Sequence, residues 1–432
     1  MKYAKEINDI MNAFKNSPLD GKELEDYYYN GTMEFRMGNK YSSPIQDILD
    51  ACKIPSEQAA FLLLGHKGCG KSTELNKMSA NLKAEGYQVF TVQCARDLDM
   101  NNPLYADLLI LMGEALLRIA DEIGCDLNDD LRNKIKLFWS LEIEKSRIVT
   151  NSGAFSVGAD VQTKSPKLLP FLQFLAGVKA DLRFSKENRI TYREKINHRS
   201  SEWLFIISQI SDLITDKLEG KQPIIIFEDL DKINPLDAWD IFCNHAATLT
   251  GVSFPVIYTF PIALSYEPRI AALEGYFDRK TFPMVKLETM DGKVYNEGIN
   301  AIIEIVKKRA ELDLFNENVL DTLIQKTGGS LRDLFNAINT SAKIANRRES
   351  NTVSAEDMQI ALDELKSSLT RRIERKHYSF LAEIYNGNHQ KIEDKEMLLE
   401  MMHASAVLEY NGERWHDVHP LIAEFLVEQE LV

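Results

Sequence analysis

The sequence predicts an α/β protein built on a parallel sheet with helices on both faces. Short apolar segments alternate with segments of helical periodicity, the pattern of a covered parallel sheet. A glycine-rich turn joins the first apolar segment to a helix, and two acids directly follow a later one. The 432 residues are enough for two to four domains, and 44% hydrophobic content with 27% charge is typical of a globular protein.

Composition excludes several classes of protein. No apolar run approaches the ~20 residues of a membrane span, and the charged N-terminus has no signal-peptide core. Five scattered cysteines without a C-x-x-C pair indicate a reducing compartment. The net charge of −14 argues against a general coat for nucleic acid. We therefore expect a cytoplasmic protein with no membrane contact.

The sheet is predicted within a core that spans residues 59–289. Residues 1–58 are predicted to form an N-terminal helical appendage that packs on this core. The predicted strands, each apolar and rich in β-branched or aromatic residues, are 60–64, 87–92, 223–227, 255–260 and 284–288.

A large insertion separates the second strand from the third. About 130 residues lie between them, far more than one crossover needs. The insertion, at about 97–220, is predicted to be mostly helical. Its expected elements are helices at 103–123, 129–148 and 186–218, with a strand or hairpin at 155–161.

The pattern after the sheet becomes helical. A helical lid is predicted over 290–369, with helices at 296–311, 316–327, 331–347 and 354–369, the last opened by a capping box. Residues 370–432 are expected to be winged-helix-like. They contain two helices, a hairpin at 406–418 turning at Asn411-Gly412, and a helix at 420–429.

The glycine-rich turn fits the phosphate-binding pattern G-x-x-x-x-G-K-[ST] without a mismatch. Its position between strand and helix lets backbone N–H groups surround a polyphosphate. Lys71 would reach the β- and γ-phosphates, and the Ser72 hydroxyl would ligate Mg²⁺. A chance glycine loop with a solvated lysine is the alternative. We expect ATP or another nucleoside triphosphate, with Mg²⁺, to bind at Gly65, His66, Lys67, Gly68, Cys69, Gly70, Lys71, Ser72 and Thr73.

An acidic partner for this loop follows the apolar run 224–227. Glu228 and Asp229 match a Walker B strand, whose acids hold Mg²⁺ and orient the attacking water. The usual order is Asp then Glu, so here the shorter Asp229 stands at the position of the base. We expect Ser72, Glu228 and Asp229 to hold the metal. Either Asp229 still reaches the attacking water, or the site hydrolyses slowly and acts mainly as a switch. An N-cap cluster for the next helix is the alternative.

These motifs resemble the AAA+/STAND branch of P-loop NTPases, in particular Orc1/Cdc6-like and related bacterial STAND ATPases. The resemblance covers 59–95 and 221–345, with a looser match in the tail. It implies that Thr259 is the sensor 1 residue, that Arg332 is the sensor 2 arginine of the lid, and that Arg279 is an arginine finger. A strand threonine and two surface arginines are the alternatives. By the same resemblance, a role in bacterial conflict or defence is an expectation.

The distribution of charge along the sequence indicates which segments could bind nucleic acid. Residues 371–432 carry seven Lys/Arg against twelve Asp/Glu, the wrong sign for binding phosphates. The segment 160–200 carries nine Lys/Arg against four Asp/Glu, with Lys186, Arg189 and Arg193 at i, i+3 and i+7 on one helix face. This face is either a solvated one that offsets nearby acids or a contact surface for nucleic acid or an acidic partner.

The leading functional hypothesis is a regulatory ATPase that acts as a nucleotide-dependent switch and controls assembly with itself or with a partner protein. The alternative is a DNA-binding remodelling or loading ATPase of the Orc/Cdc6 type. A nucleotide-gated scaffold that barely hydrolyses stays open because of the Glu-Asp order. A small-molecule phosphotransferase is disfavoured, since no second-substrate motif is present. The absence of an N-K-x-D motif favours ATP over GTP.

Overall fold

A computed structural model describes residues 1–31, 36, 43–54, 60–139, 164–387, 389–390, 392–410 and 415–432. Three predicted features fall outside these residues: the strand or hairpin at 155–161, the turn at Asn411-Gly412, and the end of the helix at 129–148. The predicted domain boundaries stay predictions.

A five-stranded parallel sheet forms the centre of the protein, which confirms the predicted fold class. Its strand order is β2-β3-β4-β1-β5. Side chains of β1 alternate between two hydrophobic clusters, so both faces of the sheet are covered. Strand β4 lies between β1 and β3 and runs parallel to both. The carboxyl ends of these three strands therefore meet at the same edge of the sheet. The strands are β1 (Ala60–Gly65), β2 (Val89–Gln93), β3 (Ile224–Glu228), β4 (Val256–Pro261) and β5 (Asp278–Thr281).

The fifth strand is not where the sequence predicts it. The prediction at 284–288 is wrong, since β5 pairs with β1 through residues 278–281. An edge strand tolerates the charged sequence Asp-Arg-Lys-Thr because only one side of it is paired. The apolar run that follows is buried by other contacts: Met284 forms a bridge with Tyr410 of the C-terminal region.

The insertion is helical where it is described, as predicted. The long helix Lys186–Lys217 crosses Tyr105–Glu122 so closely that a Cβ on Gly113 would lie 2.3 Å from the Trp203 ring. Backbone angles leave the helical range at Arg199, where the long helix kinks. The helices of this part of the chain are Cys94–Asp97, Tyr105–Glu122, 129–139, Leu169–Phe184 and Lys186–Lys217.

The expected cationic face of the long helix is not an exposed surface. Arg189 and Arg193 are each 6% exposed. Arg189 forms an ion pair with Asp99 at 2.7 Å, and Arg193 forms one with the buried Asp107. The alternative of a contact surface is therefore wrong for these two arginines, because both are buried and paired with acids. Lys186, the third residue of the pattern, is exposed.

The lid and the C-terminal region follow the predicted order of elements. The Ser354 hydroxyl accepts a hydrogen bond from the Asp357 N–H and the Asp357 carboxylate accepts one from the Ser354 N–H, which confirms the capping box. Two antiparallel strands, β6 (Val407–Tyr410) and β7 (Trp415–Val418), form the C-terminal hairpin. The helices are Asn296–Lys307, Val319–Lys326, Leu331–Arg347, Ala355–Thr370, Tyr378–Tyr385, Lys395–His403 and Pro420–Glu428.

The N-terminal segment connects the lid to the core. Phe14 contacts Phe335 of the lid edge-on at a ring distance of 5.3 Å, and the Asn339 amide donates to the Phe14 carbonyl. The Leu19 N–H donates to the Thr73 hydroxyl. The helices before β1 are Ile10–Ala13, Lys22–Tyr27 and Pro44–Lys53. Among the described residues, no helix is both long and apolar enough to cross a membrane.

Two helical glycines give opposite predictions for stability. A Cβ on Gly298 would lie 1.9 Å from the Lys286 carbonyl oxygen, whereas a Cβ on Gly177 would meet nothing within 4 Å. We expect Gly298→Ala to lower the free energy of unfolding by about 2 kcal/mol or more. Gly177→Ala should raise it by about 0.5–1 kcal/mol, because alanine restricts the unfolded chain. Urea unfolding measures both, and a shift of the same sign in the two variants would contradict the close approach at Gly298.

Candidate functional site

A glycine-rich loop joins β1 to the helix Lys71–Ala84, which we call the loop helix. The conformation of this loop requires glycine at several positions. Gly68 and Gly70 have φ values of +87° and +102°, a left-handed conformation that glycine adopts without strain. A Cβ on Gly65 would lie 2.6 Å from the carbonyl oxygen of Phe282, the residue that follows β5, so the neighbouring chain leaves no room there. The sequence pattern therefore sets both the turn and its close packing.

The Lys71 ammonium is buried and fully occupied by acceptors. It donates to the carbonyls of Gly65 at 2.7 Å and His66 at 2.8 Å, and it forms an ion pair with Asp231 at 2.9 Å. Burial opposes the charge of Lys71, but the Asp231 carboxylate outweighs it and raises the pKa of Lys71. For Asp231, burial is likewise outweighed by Lys71, and its pKa is lowered.

Asp231 is the acid that the sequence interpretation passed over. It belongs to the run 228–232, but only the first two acids were assigned roles. The backbone leaves β3 through Asp229, whose φ is +72°, and this turn directs the third acid toward Lys71. Asp229 itself forms an ion pair with Lys232. Spacing alone could have marked Asp231, because it lies only two residues beyond Asp229.

Glu228, at the end of β3, is 2% exposed and has an unusual environment. Its Oε1 atom has no hydrogen-bond partner among the described residues. Burial, together with the charges of Asp229 and Asp231, raises the pKa of Glu228 to about 8. A buried oxygen without a partner is a free ligand for a cation or a water molecule.

A cavity of about 310 Å³ opens between the loop, the lid and the N-terminal segment. Eight of the predicted site residues line it: Gly68, Gly70, Lys71, Ser72, Thr73, Glu228, Asp229 and Arg332. Residues 15–19 and 27–29 of the N-terminal segment line its other end, with Ile305, Arg309 and Phe335 of the lid. The sequence analysis did not assign the N-terminal residues to the site, because no motif marks them.

Arg332 enters the cavity from the lid. The lid helix Leu331–Arg347 begins with the Ser330 hydroxyl accepting a hydrogen bond from the Asp333 N–H. This start is so close to the loop that a Cβ on Gly68 would lie 2.7 Å from the Arg332 Cβ. The lid and the loop are therefore in direct contact.

Thr259 and Arg279 lie outside the lining of this cavity in the described part of the chain. The buried Thr259 hydroxyl donates to the Phe227 carbonyl and accepts from the Leu230 N–H at 3.0 Å. It therefore holds the turn that carries the three acids. Arg279 lies on the edge strand β5 and forms an ion pair with Glu274 at 3.2 Å. Their sensor and finger roles stay predictions.

The outer side of the loop contacts the C-terminal hairpin. The remaining predicted loop residues, Gly65, His66, Lys67 and Cys69, do not line the cavity among the residues described. The His66 ring is 1% exposed, and its Nε2 accepts a hydrogen bond from the Glu409 N–H at 2.8 Å. Burial and the nearby Lys71 charge lower the pKa of His66 to about 3, which keeps this acceptor neutral.

The same hairpin contacts the lid. The Tyr410 hydroxyl donates to the Gly328 carbonyl at 2.8 Å, four residues before Arg332. His419 Nε2 lies 3.8 Å from the Asp333 carboxylate at the start of the lid helix. The C-terminal region therefore contacts both walls of the cavity.

The sheet, the loop and the acids after β3 define the fold of a P-loop NTPase. Solved structures similar to the chain include Cdc6p of Pyrobaculum aerophilum, at 13% identity and TM-score 0.39 over 98% of this chain and 97% of that one. A Walker-type ATPase of Pyrococcus abyssi has 12% identity and TM-score 0.49 over 96% and 99%. The Aeropyrum pernix ORC2 protein has 12% identity and TM-score 0.42 over 100% and 98%.

No protein-family model and no curated protein matches the chain. The STAND part of the resemblance stays a prediction.

Glu228 gives stability a pH dependence with a definite sign. Its folded pKa of about 8 lies above the ordinary 4.5, so between these values the folded state holds a proton that the unfolded state has lost. The free energy of unfolding therefore falls as pH rises through this window. Glu228→Gln cannot ionise, and its stability relative to wild type should increase from pH 5 to pH 8.5 by on the order of 1 kcal/mol or more. Urea unfolding without nucleotide tests this, and an equal difference at both pH values would contradict it.

Asp231→Asn should leave the Lys71 ammonium buried without a carboxylate. We expect the free energy of unfolding to fall by about 3–5 kcal/mol, the usual cost of breaking a buried pair. Inorganic tripolyphosphate should then stabilise the variant more than wild type, because it replaces the lost anion. Asp229→Asn is the control: its partner Lys232 is 40% exposed, so the loss should stay below about 1 kcal/mol. Melting curves of wild type and the two variants, with and without tripolyphosphate, test this expectation. Equal losses of stability in Asp231→Asn and Asp229→Asn would contradict the role of Asp231 as the buried partner of Lys71.

Proposed function

We propose that the chain is a Mg–ATP-dependent switch, a regulatory ATPase whose C-terminal region is positioned by the state of its nucleotide site. The observation that carries this proposal is the double contact of the hairpin. It touches the phosphate-binding loop through His66 and the lid through Gly328. A change at either wall of the cavity therefore acts on the same C-terminal element.

The residues of the cavity fit Mg–ATP. Left-handed Gly68 and Gly70 form the turn that cradles phosphate at a helix N-terminus. The unpartnered Oε1 of Glu228 supplies an oxygen ligand, and Mg²⁺ is commonly held by one or two carboxylates together with phosphates. In this proposal Ser72, Glu228 and Asp229 hold the ion, which would neutralise the charge that develops on the phosphates during transfer.

The protein groups have separate tasks in hydrolysis. Lys71 leaves Asp231 and binds the β- and γ-phosphates, while Arg332 contributes its charge from the lid. Asp229 orients the attacking water, and its short side chain accounts for the slow turnover that we expect. Thr259 acts through the turn that it holds. Arg279, on the edge strand, is proposed as a finger toward the nucleotide of a second copy of the chain.

The contacts of Lys71 indicate the direction of the switch. In the structure its ammonium donates to the His66 carbonyl, and the His66 ring accepts from the hairpin. Turning Lys71 toward phosphate removes one of the bonds that fix the His66 backbone. Nucleotide binding should therefore weaken the docking of the hairpin and free the C-terminal region for a partner protein or a second copy. This protein is proposed to act in the cytoplasm.

DNA loading is the alternative function, and the described charges do not favour it. Arg189 and Arg193 are paired with internal acids, and the C-terminal residues are net acidic. Turnover stimulated by duplex DNA would favour this alternative over the switch. A role in conflict or defence stays a prediction.

The switch predicts that nucleotide changes both hydrogen exchange in β6 and β7 and the size of the particle. Wild type and Lys71→Ala are compared with ATP, ADP and no nucleotide, by hydrogen exchange and by light scattering. Exchange in the hairpin should rise with ATP in wild type and stay constant in Lys71→Ala. If neither hydrogen exchange in the hairpin nor particle size changes with nucleotide in wild type, the proposal is wrong.

A matched pair of tyrosine variants tests the linkage. Tyr410→Phe removes the donor to the Gly328 carbonyl and weakens docking, so ATP affinity should rise about fivefold, since coupling is reciprocal. Tyr378→Phe changes a tyrosine of the same region that contacts Phe425 edge-on, and affinity should not change. If the two variants bind ATP with equal affinity, docking of the hairpin is not linked to nucleotide binding.

A further inference from the structure

Two buried arginines line the cavity without an ion pair among the described residues, Arg36 and Arg309, and Arg36 is the one beside the loop. Arg36 is 1% exposed and lines the cavity. Its guanidinium donates to the carbonyls of Pro283 at 2.6 Å and Cys69 at 2.7 Å, and it lies 4.5 Å from the centre of the Phe282 ring. Among the described residues, no carboxylate forms an ion pair with it, and its Nε has no hydrogen-bond partner.

A buried charge without a counter-ion is costly. The effective penalty is several kcal/mol, and good hydrogen bonds to neutral groups recover only part of it. Burial lowers the pKa of Arg36, opposed by electrostatic interactions with Cys69, Glu74 and Tyr28. The buried Arg189 differs, because it has the carboxylate of Asp99 as its partner. Arg36 is therefore in a site suited to an anion that the described residues do not supply.

The location of Arg36 identifies this anion. Its Nη2 lies 3.6 Å from where a Cβ on Gly70 would be, and Gly70 caps the N-terminus of the loop helix. The unsatisfied N–H groups of a helix N-terminus carry partial positive charge. Two positive features thus adjoin each other at the wall of one cavity. Both favour the same negatively charged ligand.

We propose that Arg36 binds the polyphosphate of the nucleotide, as a further cation beside Lys71 and Arg332. The inference rests on the proposed nucleotide binding. A guanidinium matches phosphate oxygens through two parallel N–H donors, which a lysine cannot do. Because Arg36 comes from the N-terminal segment, nucleotide binding also ties this segment to the loop.

Arg36 could instead be a neutral clamp between Cys69 and Pro283, and the two roles differ in a measurable way. For a phosphate ligand, Arg36→Met should change the melting temperature without ligand only slightly, because relief of an unpaired buried charge offsets the two lost hydrogen bonds to carbonyls. Its affinity for tripolyphosphate and for ATP should fall about tenfold or more. For a clamp, the melting temperature falls and the affinity for tripolyphosphate stays that of wild type, which would overturn the proposal.

Arg189→Met is the matched control. Removing this arginine, which is also buried, leaves Asp99 without its ion-pair partner, so the melting temperature should fall while the affinity for tripolyphosphate is unchanged. If Arg36→Met does not fold, Arg36→Lys is used instead. Lysine keeps the charge but loses the two-donor geometry, so the affinity for tripolyphosphate should fall severalfold. Unchanged affinity of Arg36→Lys would then overturn the proposal. Wild type that binds neither ATP nor tripolyphosphate would overturn the proposed function itself, a distinct result.

Discussion

The structure depends on how one buried ammonium is satisfied. Lys71 joins the end of β1, the glycine-rich loop that follows it and the turn after β3 through three acceptors. Neither strand could place its polar end inside the protein alone, because an unpaired buried charge costs several kcal/mol. The ion pair with Asp231 thus links the turn after β3 to the loop after β1 at the site. In the proposed function, phosphate competes with Asp231 for the same cation.

Much of the fold and part of the site could be predicted from the sequence. The loop, the acids after β3 and the lid arginine are encoded by contiguous residues, whose spacing reflects local backbone geometry. The structure brings eight of these residues to one cavity. Strand β5 was missed because an edge strand can be charged, so its pattern carries no apolar signal.

Other features could not be predicted, because they are contacts between residues far apart in the chain. Arg36 precedes the loop without any motif, and nothing in its neighbours indicates burial beside Cys69. The pairing of Arg189 with Asp99 is equally invisible, so a regular basic pattern was interpreted as an exposed face. The hydrogen bond between His66 and Glu409 joins residues more than three hundred positions apart. Periodicity describes one element at a time and says nothing about its tertiary partners.

The strand order has a consequence for synthesis of the chain. Strand β1 is flanked by β4 and β5, which a ribosome adds roughly 190 residues later, or roughly 10–40 s at usual elongation rates. Until then the nascent chain carries an apolar strand with both edges unpaired, a template for wrong pairing. The helices of the insertion can fold from local contacts during this interval. The glycine-rich loop after β1 is thus translated early, whereas both neighbours of β1 in the sheet are translated late.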